Sequence, residues 1–312
     1  MKRFIYILII LLLGVVIAGC GSTNENNDET SASKETIVVN HELGETKVPK
    51  NPEKVIVFDF GMLDTLDYLG IDVIGVPQMN IPDYLEKYRS NDYENIGSLK
   101  EPDFEKIANI DPDLIIISTR QADQYDELSK LGAVIHLGVD YENYYDSFKE
   151  NVTIIGEIFS KEKDVEEALT DIEERINALT DKAKEIDQKA LIILANEDKI
   201  SAYGPNSRFG VIHDLFGIPA ADQKIEASTH GMNVSFEYVL EMDPDLLYVI
   251  DRSAAIGDEP AAKNIVENRL MKSTKVLQND DIYYLSPDVW YLSGGGIISV
   301  QKMVEEIENS IE

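Results

Sequence analysis

The chain has a single cysteine, Cys20, among its 312 residues, so no disulfide can form within it. Basic residues are also few: 28 Lys and Arg stand against 58 Asp and Glu, and the formal net charge is −30 at pH 7. Nucleic-acid binding needs clustered basic side chains to neutralise phosphates, and beyond the extreme N-terminus no such cluster occurs. An acidic protein is also repelled by anionic membrane surfaces. We therefore expect no nucleic-acid partner, and any attachment to a membrane should be covalent.

The N-terminus has the features of a secretion signal. Lys2 and Arg3 precede an apolar run over residues 4–16, and small residues then lead to Cys20. This run is short for a membrane-spanning helix, which needs about 20 apolar residues. The sequence therefore predicts a signal peptide over residues 1–19.

The signal ends in Ile-Ala-Gly-Cys, which resembles the lipobox of bacterial lipoproteins. That resemblance implies that Cys20 is acylated and becomes the first residue of the mature chain. An ordinary secretory signal with an incidental cysteine is the alternative. We expect an extracytoplasmic protein that is anchored by lipid to the bacterial cell membrane.

The rest of the chain divides by composition into four segments. Residues 20–36 are polar and low in complexity, which is typical of a flexible tether. Strand and helix signals then alternate over residues 37–160 and again over 188–312, which predicts two α/β lobes with parallel sheets. Between them, residues 161–187 predict one long connecting helix with an apolar stripe. The stripe consists of Val165, Leu169, Ile172, Ile176 and Leu179. A surface helix within one large domain is the alternative.

One stretch of sequence occurs twice. Residues 103–120 read DFEKIANIDPDLIIISTR, and residues 235–252 read SFEYVLEMDPDLLYVIDR. Each copy ends with an arginine, Arg120 or Arg252, after a buried strand. Ligands of open α/β sheets bind at the carboxyl ends of the strands. The repeat therefore predicts a cleft between two related halves that holds an anion. The alternative is two structural arginines paired with carboxylates.

Three further residues lie in loops that should border the same cleft. Arg208 follows the strand over residues 189–196, His230 precedes the second repeat copy, and Tyr291 precedes the last predicted helix. Planar guanidinium groups suit delocalised oxyanions. Imidazole and phenolate are ligands that Fe(III) accepts, and ferric charge with nearby arginines would favour loss of the phenol proton. For each residue alone, a surface or packing role is the alternative.

Several motifs in this order resemble those of the siderophore-binding lipoproteins of iron ABC importers. They are FDFGMLDTLDYLG, IGSLKEPDFEKI, GPNSRFGVIHDLFG, STHGM, DPDLLYVIDR and WYLSGGG. The resemblance as a whole extends over nearly all of residues 36–312. The match is to the catecholate subgroup, which includes enterochelin-binding and petrobactin-binding proteins. The resemblance implies two Rossmann-like lobes joined by one long helix, in the manner of class III periplasmic binding proteins.

The resemblance also implies roles for individual residues. Arg120, Arg208 and Arg252 would bind the anionic ferric complex. When the siderophore supplies only four donor oxygens, His230 and Tyr291 would complete the coordination of iron. Glu105 and Glu237, one in each repeat copy, would dock on arginines of the permease.

The expected function is capture of a ferric catecholate siderophore and its delivery to an ABC permease, by a monomer with no intrinsic cofactor. The first rival keeps the fold and changes the cargo to haem, a corrinoid or a hydroxamate siderophore. The second is an extracytoplasmic metal-dependent hydrolase. It has little support, because the chain has no HExxH motif, nucleophile–base arrangement or paired-carboxylate motif. We therefore expect a binding protein that is not an enzyme.

Overall fold

The computed structural model describes residues 35–311. The predicted signal peptide, Cys20 and nearly all of the predicted tether lie outside these residues. From Glu35 onward the chain forms one unit. None of its described helices combines the length and the apolar character needed to cross a membrane. We call residues 35–160 the first half and residues 188–311 the second half.

The first half is an antiparallel hairpin followed by a parallel sheet. The hairpin consists of β1 (Thr36–His41) and β2 (Gly44–Pro49). The sheet has the order β5-β4-β3-β6-β7. Its strands are β3 (Val55–Val57), β4 (Gly75–Val76), β5 (Glu94–Asn95), β6 (Leu114–Ile117) and β7 (Ala133–His136). Its helices are α1 (Phe60–Tyr68), α2 (Phe104–Ile110), α3 (Tyr125–Leu128) and α4 (Tyr144–Phe159), with 3-10 turns at Asp83–Arg89, Thr119–Gln124 and Tyr141–Asn143.

The second half contains a mixed sheet in the order β10-β9-β8-β11-β12. Its strands are β8 (Ala190–Asn196), β9 (Lys199–Tyr203), β10 (Met232–Val234), β11 (Leu246–Asp251) and β12 (Ile282–Leu285). β8, β11 and β12 are parallel, whereas β9 and β10 run antiparallel to their neighbours. A two-residue turn with Glu197 at φ 55° joins β8 to β9. Such a short connection can only join antiparallel strands, so this sheet departs from the parallel pattern that we expected.

Short helices cover the second sheet. They are α6 (Val211–Asp214), α7 (Phe236–Met242), α8 (Arg252–Ala255), α9 (Ala262–Val266) and α10 (Lys275–Asn279), with a 3-10 turn at Met271–Ser273 and a π-helical turn at Asp288–Leu292. The last helix, α11, spans Ile297–Ser310.

The repeated Asp-Pro-Asp sequence has the same structural role in both halves. Asp111 and Asp243 follow α2 and α7 in the left-handed conformation, with φ of 53° and 37°, and so end these helices. The carboxylates of Asp113 and Asp245 then accept a hydrogen bond from the main-chain N–H of the residue before β3 and β8, respectively. Each motif therefore stops a helix and aligns the start of a neighbouring strand.

The connection between the two halves contains the one long helix that we predicted. The 22-residue helix α5 (Glu162–Ala183) buries all five residues of the predicted stripe. It packs along α4, the 16-residue helix that precedes it. α4 belongs to the first half and α5 to the connection, and the domain boundaries at residues 160/161 and 187/188 stay predictions.

The last helix of the chain returns to the first half. α11 packs against both α1 and α5, and Gly296 at its start touches the main chain of Gly61 in α1. A side chain at Gly296 would overlap the Gly61 carbonyl oxygen and the Asp64 carboxylate. The two backbones can therefore meet only because both positions are glycine.

A buried carboxylate of α1 caps this helix. Asp64 Oδ1 accepts the main-chain N–H of Ile298 at 3.1 Å, and Oδ2 accepts that of Ser299 at 3.0 Å and the Tyr84 hydroxyl at 3.0 Å. Burial raises the pKa of Asp64 to about 7, although these hydrogen bonds favour the charged form. The first half thus supplies the N-terminal cap of a helix that belongs to the second.

Candidate functional site

Two of the three predicted arginines stand at the carboxyl ends of parallel strands, and the third lies in a loop. Arg120 lies in the 3-10 turn after β6, and Arg252 is the first residue of α8, directly after β11. β6 and β11 are both interior parallel strands, so their ends are flanked by other strand ends. Arg208 lies in the loop between β9 and α6.

All three guanidinium groups converge on Tyr291. Nη2 of Arg120 and Nη2 of Arg208 donate to the Tyr291 main-chain oxygen, at 2.9 and 2.6 Å. Nε of Arg252 donates to the Tyr291 hydroxyl at 3.0 Å. The Arg208 guanidinium also stacks on the tyrosine ring, 4.2 Å from its centroid. The structure therefore brings together four of the predicted site residues from both halves.

The arginines are held by neutral partners. Nη1 of Arg252 also donates to Asn196 Oδ1 at 2.8 Å, and across residues 35–311 none of the three forms an ion pair with a carboxylate. Burial and the nearby charge of Arg208 lower the pKa of Arg120 from its ordinary value. The charge of Asp59 in the same cavity acts on Arg120 in the opposite direction. Three guanidinium groups beside this one carboxylate leave an excess of positive charge, which suits an anionic ligand.

Tyr291 lies on the π-helical turn Asp288–Leu292, a feature that is frequent at functional sites. The neighbouring Trp290 is buried, and its Nε1 donates to Glu306 at 2.8 Å. Burial opposes ionisation of the Tyr291 phenol, but the hydrogen bond from Arg252 and the charges of Arg208 and Arg252 outweigh it and lower the phenol pKa. The site thus eases loss of the phenol proton, which coordination of a ferric ion would require.

His230 is exposed in the loop before β10. With Arg208 and Tyr291 it lines two adjoining cavities of about 250 and 230 Å3. In the part of the chain that the structure describes, no group of three or more His, Cys, Asp or Glu side chains could hold a metal ion. His230 and Tyr291 could therefore supply only part of the coordination of iron, and a bound ligand must supply the rest.

Sequence reasoning missed other residues of the larger cavity, among them Lys100, Asp59 and Tyr141. Asp59 is already used, because its side chain caps α1 by accepting the Met62 N–H at 2.9 Å. Lys100 adds a further cation and lies in the loop between β5 and α2. The only sequence feature that could have indicated a role for Lys100 in the site is its position just before the first repeat copy.

The two predicted docking residues lie outside these cavities. Glu105 and Glu237 are exposed in the first turns of α2 and α7. A hydrogen bond from Ser235 lowers the pKa of Glu237. Both carboxylates therefore remain available on the surface.

Comparison with known proteins identifies the family. The family model described as periplasmic binding protein matches residues 55–289. The chain belongs to this family. It is 48% identical over 316 aligned residues, 100% of both chains, to the petrobactin-binding protein YclQ of Bacillus subtilis (strain 168). The crystal structure of that protein matches with a TM-score of 0.88 at 49% identity, and the match covers 89% of this chain and 99% of that one.

Two more solved structures share the fold at lower identity. The periplasmic catecholate-siderophore binding protein VctP from Vibrio cholerae has a TM-score of 0.83 at 32% identity, with 88% of this chain and 100% of that one covered. The siderophore-binding protein BauB, solved with two acinetobactin molecules and ferric iron, has a TM-score of 0.83 at 30% identity, with coverages of 89% and 99%. These matches confirm the predicted fold class and the predicted resemblance. The family and the relatives named here are binding proteins rather than enzymes.

Proposed function

We propose that this protein is an extracytoplasmic carrier that captures a ferric catecholate siderophore between its halves and delivers it to an ABC permease. The observation that carries the proposal is the meeting of three unpaired guanidinium groups, from both halves, around Tyr291. The names of the relatives support the same cargo class, since they include petrobactin-binding and catecholate-siderophore binding proteins.

The charge of the cargo fits the charge of the cleft. A ferric tris-catecholate carries three negative charges, and Arg120, Arg208 and Arg252 offset them. Arg120 is desolvated, and ion pairing is stronger in such a partly dry site than in water. Fixed, weakly hydrated guanidinium groups also lose little hydration when they bind aromatic oxyanions.

The protein itself would coordinate the iron when the siderophore does not fill all six positions of the ferric ion. A siderophore with four donor oxygens leaves two positions of an octahedral ferric ion open. The Tyr291 phenol, whose pKa is lowered by its arginine neighbours, and the exposed His230 imidazole would fill these positions. Iron is thus cargo, bound through its chelator, and we propose no resident cofactor.

Membrane attachment and docking complete the proposed cycle. Acylated Cys20 would hold the carrier, a monomer, at the cell membrane. Glu105 and Glu237 would present one carboxylate from each half to basic residues of the permease. Support for this docking comes from the exposure of both side chains at equivalent places in α2 and α7.

Fluorescence titration tests the cargo class. Trp290 is the single tryptophan of the chain and lines the larger cavity beside Tyr291, so bound ferric chelates should quench its emission. We expect strong quenching by ferric complexes of bis- and tris-catecholamides and weak quenching by ferric hydroxamates and haem. Equal affinity for ferric hydroxamates, or preferred binding of haem with a Soret band, would overturn the proposal.

The colour of the complex tests the iron ligands. With a ferric bis-catecholamide, Tyr291→Phe and His230→Ala should each shift the visible charge-transfer band. With a ferric tris-catecholamide, whose six donors already fill the coordination sphere, the same variants should leave the band in place. A band that does not move in either case would remove both residues from the coordination of iron.

A further inference from the structure

A third cavity, of about 240 Å3, shares Lys100, Arg120 and Tyr291 with the larger of the two cavities described above. Its walls include four apolar side chains: Met79, Leu99, Ile256 and Leu292. Leu99 comes from the first half and Ile256 from the second, so the cavity is formed only where the halves meet. We call it the Met79 cavity.

The Met79 side chain is unusually exposed for its type. Its exposed fraction is 61%, against 37% for Met232, an exposed methionine of β10 that does not line this cavity. Single apolar side chains on a surface are common and need no explanation. Met79, however, stands on the wall of a cavity that also contains two arginines, and there its thioether can contact a bound molecule.

The cationic groups of this cavity come from both halves. Arg120 and Arg252 line it together with Lys100, and the exposed Glu101 is the carboxylate among its lining residues. A cavity lined by both apolar side chains and guanidinium groups suits a planar ring that carries anionic oxygens. Methionine sulfur also contacts aromatic rings favourably.

The mouth of the cavity is bounded by two loops that touch. A Cβ added to Gly257 would lie 2.9 Å from Asn80 Oδ1, and Asn80 follows Met79 in the chain. Gly257, at φ 83°, follows Ile256 of the opposite wall. Asn80 and Gly257, the neighbours of the lining residues Met79 and Ile256, therefore bring the two halves close together at this cavity.

We propose that the Met79 cavity binds one aromatic ring of the cargo, with the ring face on the Met79 thioether and the ring oxygens toward Arg120 and Arg252. The proposal rests on the proposed function and extends it, because it makes the aromatic arm itself, as well as the charge of the chelate, a determinant of specificity. Tyr291 then lies between the ring in this cavity and the rest of the complex in the cleft.

Affinity measurements on matched variants are the first test. The probe is the ferric complex of a bis(2,3-dihydroxybenzamide) with a short alkyl linker, titrated by Trp290 quenching. Met79→Ala should weaken binding about three- to tenfold, the range expected from a lost sulfur–aromatic contact. Met232→Ala is the matched control and should bind as the wild type does. Met79 is exposed, so neither substitution should disturb folding.

A spectroscopic measurement tests the contact directly. Gallium(III) replaces iron in the same probe, because it is diamagnetic and forms the same kind of complex. The methyl groups of the seven methionines in the full chain are isotopically labelled. The resonance that disappears in Met79→Ala is that of Met79. In the wild type, the ring current of the bound aromatic ring should move this resonance upfield. The Met232 methyl resonance should stay in place.

The outcomes separate the two proposals. If the wild type binds the probe but the Met79 resonance stays in place, or Met79→Ala binds within twofold of the wild type, the aromatic subsite is wrong and the proposed function stands. If the wild type binds neither the ferric nor the gallium probe, the proposed function fails and the subsite fails with it.

Discussion

The two halves carry the same sequence signal and use it differently. In each, a buried strand leads to an arginine at the cleft. Arg120 donates to a main-chain carbonyl, whereas Arg252 donates to the Asn196 side chain and to the Tyr291 hydroxyl. The repeat therefore determines where along the sheet edge each arginine lies. The surrounding loops determine which acceptors its guanidinium group bonds.

The halves also differ in what they add to the site. The second half contributes Arg208, His230 and Tyr291 besides Arg252, and the first contributes Lys100 besides Arg120. The antiparallel strands β9 and β10 flank the segment that carries Arg208 and His230. The all-parallel first sheet has no such hairpin. The antiparallel strands thus occur in the half that contributes the additional site residues Arg208 and His230.

The two halves should contribute equally to docking on the permease. Loss of docking has the largest expected effect, because it stops iron uptake altogether. Glu105→Ala combined with Glu237→Ala should reduce uptake of radiolabelled iron to background, because each half loses its exposed carboxylate. Trp290 quenching by the ferric probe should be unchanged, since both residues lie away from the cleft. The single variants should lose similar fractions of uptake. Normal uptake by the double variant would contradict the docking proposal.

Substitution of Arg120 and of Arg252, the two arginines of the repeat, should weaken ligand binding to different extents. Arg120→Gln should weaken binding of a ferric bis-catecholamide about ten- to hundredfold, the value of a lost charge-assisted bond in a buried site. Arg252→Gln should cost about threefold to tenfold, because Arg208 still contacts the tyrosine. Arg89→Gln, outside the cleft and paired with Asp83, is the control. Equal losses for the two variants would remove the asymmetry.

Arg252→Gln should also have an effect of its own on Tyr291. Loss of the hydrogen bond and of the charge should raise the phenol pKa toward the ordinary value of about 10. The phenolate absorbance of each protein, minus that of the same protein with Tyr291→Phe, isolates this group from the other tyrosines. A phenol pKa that is the same in both proteins would show that Arg252 does not control ionisation.

Asp64 of the first half should make the stability of the protein depend on pH, since it is the one buried carboxylate of residues 35–311. Its pKa is raised from 3.8 to about 7. Its contribution to stability is therefore full below pH 3.8 and is lost as the pH rises toward 7, by about 1.4 kcal/mol per pH unit within that window.

Urea unfolding at pH 5 and pH 7 measures this contribution. Asp64→Asn does not titrate, so the free energy of unfolding of the wild type should fall relative to that of Asp64→Asn between the two values. Glu105→Gln, at an exposed carboxylate, should show no such trend. A wild-type advantage that grows with pH would mean that the hydrogen bonds to α11 keep Asp64 charged despite its burial.

The sequence was sufficient for the architecture of most elements. The duplicated Asp-Pro-Asp signalled the end of a helix and the start of a buried strand, and both copies have this structure. The stripe of α5 was also predicted correctly, because a 3.6-residue apolar period is a local property. The antiparallel β9 was missed, since its two-residue connection contains neither glycine nor proline.

The site could be predicted only in part. The positions of Arg120 and Arg252 follow from strand ends, and the structure brings them to Tyr291 together with Arg208. Hydrogen bonds to the Tyr291 carbonyl could not be foreseen, because a main-chain acceptor leaves no mark on the side-chain sequence. The same holds for Asp64, which lies about 230 residues from its partners in α11 and looked like one more acidic residue of an acidic chain.

The cap that Asp64 provides for α11 orders events during synthesis. A polypeptide emerges from its N-terminus, so α1 is complete long before the helix that it caps has been made. Until then the Asp64 carboxylate lacks its two main-chain partners in α11 and can accept only the Tyr84 hydroxyl of its own half. The first half therefore reaches its final state only after α11 has been made, and the folding of the two halves is coupled at this cap.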